Sequence, residues 1–561
     1  MLLPHPDLIR SRPAAAGPHG LARRSRALVW LSCALLALPA GSEAQTRPLA
    51  GAITAATASG EGASAAEQTR GKRRETPQRR SRASGRRTRA RSTAVPAAPR
   101  WTTPRGTTAL ASDLGTMIGS RTRGGQWGAI VVSLTRGDTL YSINADLSLQ
   151  PASNMKLFTA ALALDQLGPA HEFRTDVLRD GSLAPDGTLR GNLILRGDGD
   201  PGFSSRFFGG GPSSPVDSLA ARVAAAGIRQ VQGDIIADAS AFGGQRIPDG
   251  WQARYLQASY AARVSALSIN DNLGWVVVRP GATKSPAVVS IEPAAELPVV
   301  NKARTVAGSG ARLVILPTQD GGLEVRGWIG RGAAEKRYSF VIEEPALFTA
   351  SALRHALAAR GVTVTGAVRL GATPSGAVRV ASLPSQPLSR LLSVMNRESV
   401  NHYAELLFRD AAREAAPDGV GTVEAGGKLL ERFMTEKVGA APGSVSAADG
   451  SGLSVLDRVT PRALVQLLAY GHQAPWADAF HASLPVAGES ELLRNRMRYT
   501  PAQGNLHAKT GTTNTVISLG GYVTSEDGEL LAFAFIYNGS DRWNARTTID
   551  TMGATLAGFT R

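Results

Sequence analysis

Pro151-Ala152-Ser153-Asn154-Met155-Lys156-Leu157-Phe158-Thr159 is the stretch on which the reading of this chain turns. A serine and a lysine three residues apart open an apolar run, Leu157–Leu164, that reads as a helix. Residues at i and i+3 share a helix face, so the hydroxyl and the amine lie one turn apart. A serine hydroxyl is a weak nucleophile until a base takes its proton. A lysine supplies that base if burial and a second cation lower its pKa. Ser-x-x-Lys alone is weak evidence, because it also arises at ordinary helix starts.

Two further motifs follow in order: Ser399-Val400-Asn401 and Lys509-Thr510-Gly511. Each alone also reads as a cap or a surface turn. Together their chemistry is coherent. Lys509 is the second cation and a holder of a substrate carboxylate, assisted by Thr510. Asn401 offers a peptide amide both a donor and an acceptor. Ser399 relays a proton. Backbone N–H groups near Ser153 and Thr512 form an oxyanion hole. Lys156 is expected neutral and Lys509 charged.

The surrounding pattern supports a mixed fold. Ala109–Ile118 has helical spacing, and Gly128–Thr135 with Thr139–Ile143 reads as a hairpin around Arg136-Gly137-Asp138. Helices are expected at Leu388–Asn396, Val400–Arg413 and Gly426–Lys437. Strands follow at Ile517–Val523 and Leu530–Tyr537, with a last helix near Ser540. Between residues 175 and 385 short strands and turns dominate. That region carries an internal echo of helix, glycine stop and strand, at Leu219–Gly233 and again at Leu353–Gly366.

The formal charge of +17 suggests a nucleic-acid binder until it is located. Residues 1–100 hold 18 Lys/Arg against 5 Asp/Glu, a net of +13, and the rest hold 44 against 40, a net of +4. Arg23, Arg24 and Arg26, the apolar Ala27–Leu38 and Ser42-Glu43-Ala44 read as a cleaved export leader, residues 1–44. An uncleaved anchor is the rival reading, and the context of Cys33 fits a lipoprotein poorly. Residues 45–104 read as a disordered basic linker, either merely solvated or held to an anionic envelope polymer or membrane surface. No nucleic-acid partner is expected, since it conflicts with export. Cys33 is the only cysteine, so no disulfide framework and no cysteine-based zinc site exists. No apolar run beyond the leader reaches the ~20 residues of a membrane span.

Other signatures are excluded. Gly197-Asp198-Gly199-Asp200-Pro201-Gly202 fits GxGxxG, but Pro201 and Gly209-Gly210-Gly211 leave no helix to receive a pyrophosphate. The eight histidines form no ligand cluster. His402 and His507 read as packing residues, and no metal or cofactor is expected. There is no GxSxG elbow and no ExxLN loop.

The ordered triple resembles the penicillin-interacting serine enzymes. Ser153 and Ser399 lie 246 residues apart, and Ser399 and Lys509 lie 110 apart. That spacing is similar to the class C low-molecular-mass penicillin-binding proteins, the D-alanyl-D-alanine carboxypeptidase/endopeptidase family. The context residues agree: Asn144-Ala145-Asp146, Gly197-Asp198-Gly199-Asp200-Pro201, Asp449-Gly450-Ser451-Gly452-Leu453-Ser454, Leu484-Pro485-Val486-Ala487-Gly488 and Ala508-Lys509-Thr510-Gly511-Thr512. The resemblance covers about 107–561.

It implies an α/β chain of α+β type: a transpeptidase-like domain of antiparallel sheet and helices at 105–175 and 386–561, with an insertion at 176–385. It also implies a serine-type D-Ala-D-Ala carboxypeptidase of the periplasm that acts on peptidoglycan stem peptides through an acyl-enzyme and is inhibited by β-lactam antibiotics. Ser153, Lys156 and Ser399 would be catalytic, and Asn401, Lys509, Thr510 and Thr512 would bind substrate. Asp238 would be the insertion's substrate-facing acid. An endopeptidase cutting cross-links is the alternative within this chemistry, and a non-catalytic wall-binding scaffold the alternative outside it. Two departures stand out: Val400 replaces the usual Asp, and Val455 stands where the family often has Arg, with Arg458 three residues later.

Overall fold

The computed structural model describes residues 100–561. The leader, Cys33 and all of the basic tract up to residue 99 lie outside the described residues. The last residues of the expected linker are engaged. Thr102 N donates to Thr555 Oγ1 at 3.1 Å, and Pro104 O accepts from Thr560 N at 3.1 Å, so the boundary falls a few residues earlier.

A five-stranded antiparallel sheet joins the two ends of the chain. Its order is Thr139–Ile143, Gln126–Ser133, Leu530–Asn538, Val516–Thr524 and His507–Thr512. The strand Leu530–Asn538 shows why helices cover both faces. Leu531, Phe533, Phe535 and Tyr537 pack toward the helices Thr107–Arg121 and Arg542–Ala557. Ala532, Ala534 and Ile536 alternate to the other face, against Met155–Leu167, Asn401–Ala415 and Pro461–Gln473. Successive strand side chains point to opposite faces, so a strand buried on both reads as one apolar run. Met155–Leu167 is buried from Met155 through Leu164, as a helix apolar all round must be.

The strands between Arg174 and Pro384 pair only with one another, in two larger and two three-stranded sheets. The internal echo is real in three dimensions. Gln230–Val231 pairs in parallel with Thr363–Val364, and Ile235–Asp238 with Val368–Leu370. The helices Ser214–Ala225 and Pro345–Ala358 pack against each other. A third copy is present that the sequence reading missed. Thr188–Arg190 and Leu193–Gly197 pair in parallel with Gln230–Val231 and Ile235–Asp238. Their turns stack through side chains. Asp234 N donates to Asn192 Oδ1 at 2.7 Å, and Ala367 N donates to Asp234 Oδ1 at 2.9 Å. A Cβ at Gly233 or Gly366 would sit on the carbonyl of the preceding layer, so only glycine fits there.

The segment Gly197–Gly202 is no nucleotide loop. It folds against Asp410 of the helix Asn401–Ala415, and only the four-residue helix Ser205–Phe208 follows it. Neither carboxylate oxygen of Asp410 has a hydrogen-bond partner among the described residues, and its one ion pair there is with Arg413 Nη2 at 3.3 Å. Burial raises its pKa well above the usual range; Arg413 opposes this, and Asp198 and Asp200 add to it. Burial and Asp198 push Asp200 up to about 8. A carboxyl whose folded pKa is raised costs stability above that pKa, and the cost fades as pH falls toward the unfolded value near 4. Asp410→Asn should therefore raise the melting temperature relative to the parent by on the order of a few degrees at pH 8, and by nothing at pH 4. Calorimetry across that range decides; a difference independent of pH contradicts it.

Candidate active site

Ser153 occupies a single 3-10 turn, Ala152–Asn154, that feeds directly into Met155–Leu167. Ala152 holds a left-handed φ of 47° there, which turns the serine toward the cavity. Lys156 Nζ lies 3.1 Å from Ser153 Oγ, as the helical spacing predicts. It also donates to Asn401 Oδ1 at 2.6 Å and to Ser451 O at 2.7 Å, and its side chain is fully buried.

Ser399 and Asn401 flank an elbow between two helices. Leu388–Glu398 ends where Ser399 takes a left-handed φ of 59°, and Asn401 begins the next helix. Val400 between them packs on the core below, so no polar residue is needed there. Lys509 Nζ donates to Ser399 Oγ at 2.9 Å and to Thr510 O at 2.8 Å. The site thus consists of two serine–lysine pairs, Ser153 with Lys156 and Ser399 with Lys509, and Asn401 leans on the first of them.

Burial acts on the charge of both lysines. Burial pushes Lys156 down to about 8, while Asp449, Glu405 and Asp457 pull it upward. Burial also holds Lys509 well below the usual lysine range, and the neighbouring Lys156 lowers it further. The carboxylates thus stand behind Lys156, and the repulsion between cations falls on Lys509. Burial lowers the pKa of both lysines, and it brings a neutral Lys156 within reach. Lys156 near 8 is a base that a modest free-energy cost makes available at neutral pH.

The loop after residue 448 sets the lysine's third contact. Asp449 accepts from the N–H groups of Ser451 at 2.9 Å, Gly452 at 2.6 Å and Ser454 at 2.7 Å, and from Trp251 Nε1 at 2.8 Å. This network points the Ser451 carbonyl at Lys156. Gly452 has φ 82°, and a Cβ there would collide with Ala152 O beside the nucleophile. Glu405 accepts from Gly450 N at 3.1 Å and from Arg409 Nη1 at 3.1 Å. Burial, reinforced by Asp449, pushes Glu405 up to about 7 against the opposing Arg409.

Ser153, Ser399, Asn401 and Thr512 line one cavity of about 330 Å³, together with Tyr255 and Tyr260 from the 176–385 region. Both tyrosines were missed in the sequence. Tyr260 contributes its main-chain oxygen, which accepts from Asn401 Nδ2 at 2.8 Å. Asn401 thus braces Lys156 with one lone pair and Tyr260 with one N–H, and it still lines the cavity. Lys509 and Thr510 are buried behind the cavity and do not line it.

Asp238 is not brought to the site. It ends the strand Ile235–Asp238, is 1% exposed, and accepts from Ser240 N at 2.9 Å, Thr373 N at 2.7 Å and Thr373 Oγ1. Its carboxylate is used up in joining two turns of the insertion. Arg458 turns back on its own loop, donating to Val455 O at 2.8 Å and Asp457 O at 2.7 Å. Among the described residues no group of three or more His, Cys, Asp or Glu is placed to hold a metal. His402 is buried, and burial with Arg409 pushes it down to about 3.

A half-exposed serine hydroxyl, a buried amine one turn away and a second serine–lysine pair at the edge of a helix-covered sheet define a serine enzyme of acyl transfer. The chain belongs to the D-Ala-D-Ala carboxypeptidase 3 (S13) family, which it matches over residues 111–558. It is 37% identical over 431 residues to a D-alanyl-D-alanine carboxypeptidase of an Actinomadura species, covering 73% of this chain and 77% of that protein. It is 28% identical over 430 residues to the D-alanyl-D-alanine carboxypeptidase DacB of Haemophilus influenzae, covering 74% and 86%. The crystal structure of penicillin binding protein 4 (dacB) from Haemophilus influenzae shares the fold, with TM-score 0.67 and 23% identity over 79% of this chain and 98% of that one. A second crystal structure of that protein holds a novel β-lactam and aligns with TM-score 0.63. The expected fold class and the expected D-Ala-D-Ala carboxypeptidase are met by this membership.

Proposed function

We propose that the chain removes the terminal D-Ala from peptidoglycan stem peptides through an acyl-enzyme on Ser153. The 3.1 Å contact between Ser153 Oγ and the buried Lys156 Nζ carries this reading. Lys156 in its neutral form takes the hydroxyl proton as Oγ attacks the carbonyl of the penultimate D-Ala. Lys509 holds Ser399, whose hydroxyl passes a proton to the departing amine, and water then releases the acyl group. N–H groups at Ser153 and Thr512 receive the oxyanion. A β-lactam presents the same acyl carbon and leaves Ser153 blocked. On this reading the enzyme works in the periplasm, and its catalytic domain comprises 105–175 and 386–561 with an inserted region at 176–385.

A scaffold has no use for a base at hydrogen-bond distance from a hydroxyl that lines a cavity. Incubation with purified muropeptides tests the reading. Pentapeptide stems should lose one D-Ala, which mass spectrometry detects. Conversion of cross-linked dimers to monomers with no D-Ala released would assign an endopeptidase instead. No change in either pool would leave only the scaffold.

A further inference from the structure

One three-stranded sheet of the 176–385 region has two faces of different kinds. Its order is Val299–Val306, Leu323–Gly330 and Ala311–Pro317. Ala303, Val325 and Ile329 point inward and pack with Val276 and Val278 of the strand Leu273–Arg279. Alternation sends the residues between them to solvent. There Arg304, Trp328 and Arg312 stand abreast across the three strands, and Lys302, Arg326 and Val314 form the next row. All six are exposed.

Trp328 sits on the central strand and is 39% exposed. A Cβ on Gly310 would lie 3.3 Å from its ring, so the indole leans over bare backbone along the sheet. The guanidiniums beside it do not stack on it; the cation–π pairs among the described residues are at Tyr255 and Tyr499. Four cations share this face with one acid, Glu324. It pairs with Lys302 at 3.0 Å and with Arg326, leaving Arg304 and Arg312 in no ion pair among the described residues. Like charges side by side on a sheet cost stability. An acidic partner lying on the face offsets that cost.

We infer that this sheet face binds the glycan strand of peptidoglycan with its acidic stem peptides, apart from the catalytic cavity. The inference rests on the peptidoglycan reading above. A sugar ring offers a flat set of C–H groups that stacks on an indole. Its hydroxyls, and the free carboxylates of the stem peptides, accept from guanidinium N–H groups on either side. A flat, open face with an arginine at each edge suits a polymer that runs across the strands. An indole laid along a sheet is a stacking surface, whereas a membrane anchor projects its aromatic rings into the headgroups. Held on the polymer this way, the enzyme meets successive stem peptides at a raised effective concentration.

The test pellets the full-length parent and its variants with purified insoluble peptidoglycan, in low and in high salt. The same samples are assayed on a soluble D-Ala-D-Ala peptide. The basic tail is common to every sample, so differences between variants read the sheet face alone. Trp328→Ala should weaken retention about tenfold at both salts, the worth of a central aromatic contact. Trp328→Tyr keeps an aromatic face and should restore most of it. Arg304→Gln combined with Arg312→Gln should weaken retention about threefold to tenfold in low salt and less in high salt, where exposed charges are screened. All variants should release D-Ala from the soluble peptide at the parent rate. Retention equal to the parent in every variant would overturn the inference, as would a Tyr variant as weak as the Ala one. Loss of binding to anionic phospholipid vesicles with retention on peptidoglycan unchanged would overturn it in favour of a membrane. D-Ala release by the parent keeps the functional reading whichever way the pelleting falls. A parent inert toward the peptide yet retained through Trp328 would remove the catalytic reading and leave the wall-binding face standing.

Discussion

Ser153→Ala abolishes covalent labelling by a fluorescent penicillin while the protein still melts as the parent does. The side chain makes no packing contact that the fold requires, being half-exposed on a 3-10 turn. Its loss removes the hydroxyl proposed above to form the acyl bond. Covalent catalysts lose on the order of 10⁴-fold or more when the nucleophile is deleted. The measurement is gel fluorescence after penicillin treatment, beside a thermal melt of the same sample. Labelling that survives in a folded Ser153→Ala protein would place the nucleophile elsewhere.

Lys156→Arg cuts acylation by about 10²–10⁴-fold, the usual worth of a general base, and Lys509→Arg does far less. The reason is proton chemistry combined with burial. Lys156, held at about 8, has an accessible neutral form. An arginine in its place never has one. In the parent, acylation should climb as pH rises toward 8 and level off above it, because the amine must shed its proton before it can receive the one from Ser153. That limb should disappear in Lys156→Arg. Lys509→Arg keeps a donor for Ser399 Oγ and for the Thr510 carbonyl, though its larger fork fits the buried site imperfectly. Stopped-flow acylation with one β-lactam and one D-Ala-D-Ala peptide ranks the two. Equal damage, or the opposite order, would show that the lysines have exchanged roles.

The chemistry was legible in the sequence because acyl transfer demands fixed residue types at fixed local spacings. Ser153 and Lys156 share a helix turn, and Ser399 and Asn401 share an elbow, so their contacts follow from chain geometry alone. Lys509 reaches Ser399 from 110 residues away, a contact that the sequence reading, which paired it with Lys156, did not foretell. What stayed hidden leaves no side-chain signature. Tyr260 serves through a carbonyl oxygen that any residue possesses, and Ser451 does the same. Asp238 misled because an acid at a strand end looks alike whether it faces a ligand or closes a turn. The charge pattern of the two lysines depended on Asp449, Glu405 and Asp457, which only the folded chain brings behind Lys156. The third layer of the stacked turns was missed because Gly191-Asn192 has no helix before it to complete the echo. The basic tail remains a reading of composition.

The region that separates the first two motifs lends the site two atoms from afar: the Tyr260 carbonyl that steadies Asn401 and the Trp251 indole that steadies Asp449. One contact ends on Asn401, which holds Lys156, and the other on Asp449, which sets the Ser451 carbonyl toward it. The surroundings of Lys156 thus take shape from two long-separated parts of the chain. The pairing of these contacts ties the geometry around Lys156 to the whole folded chain rather than to any one segment of it.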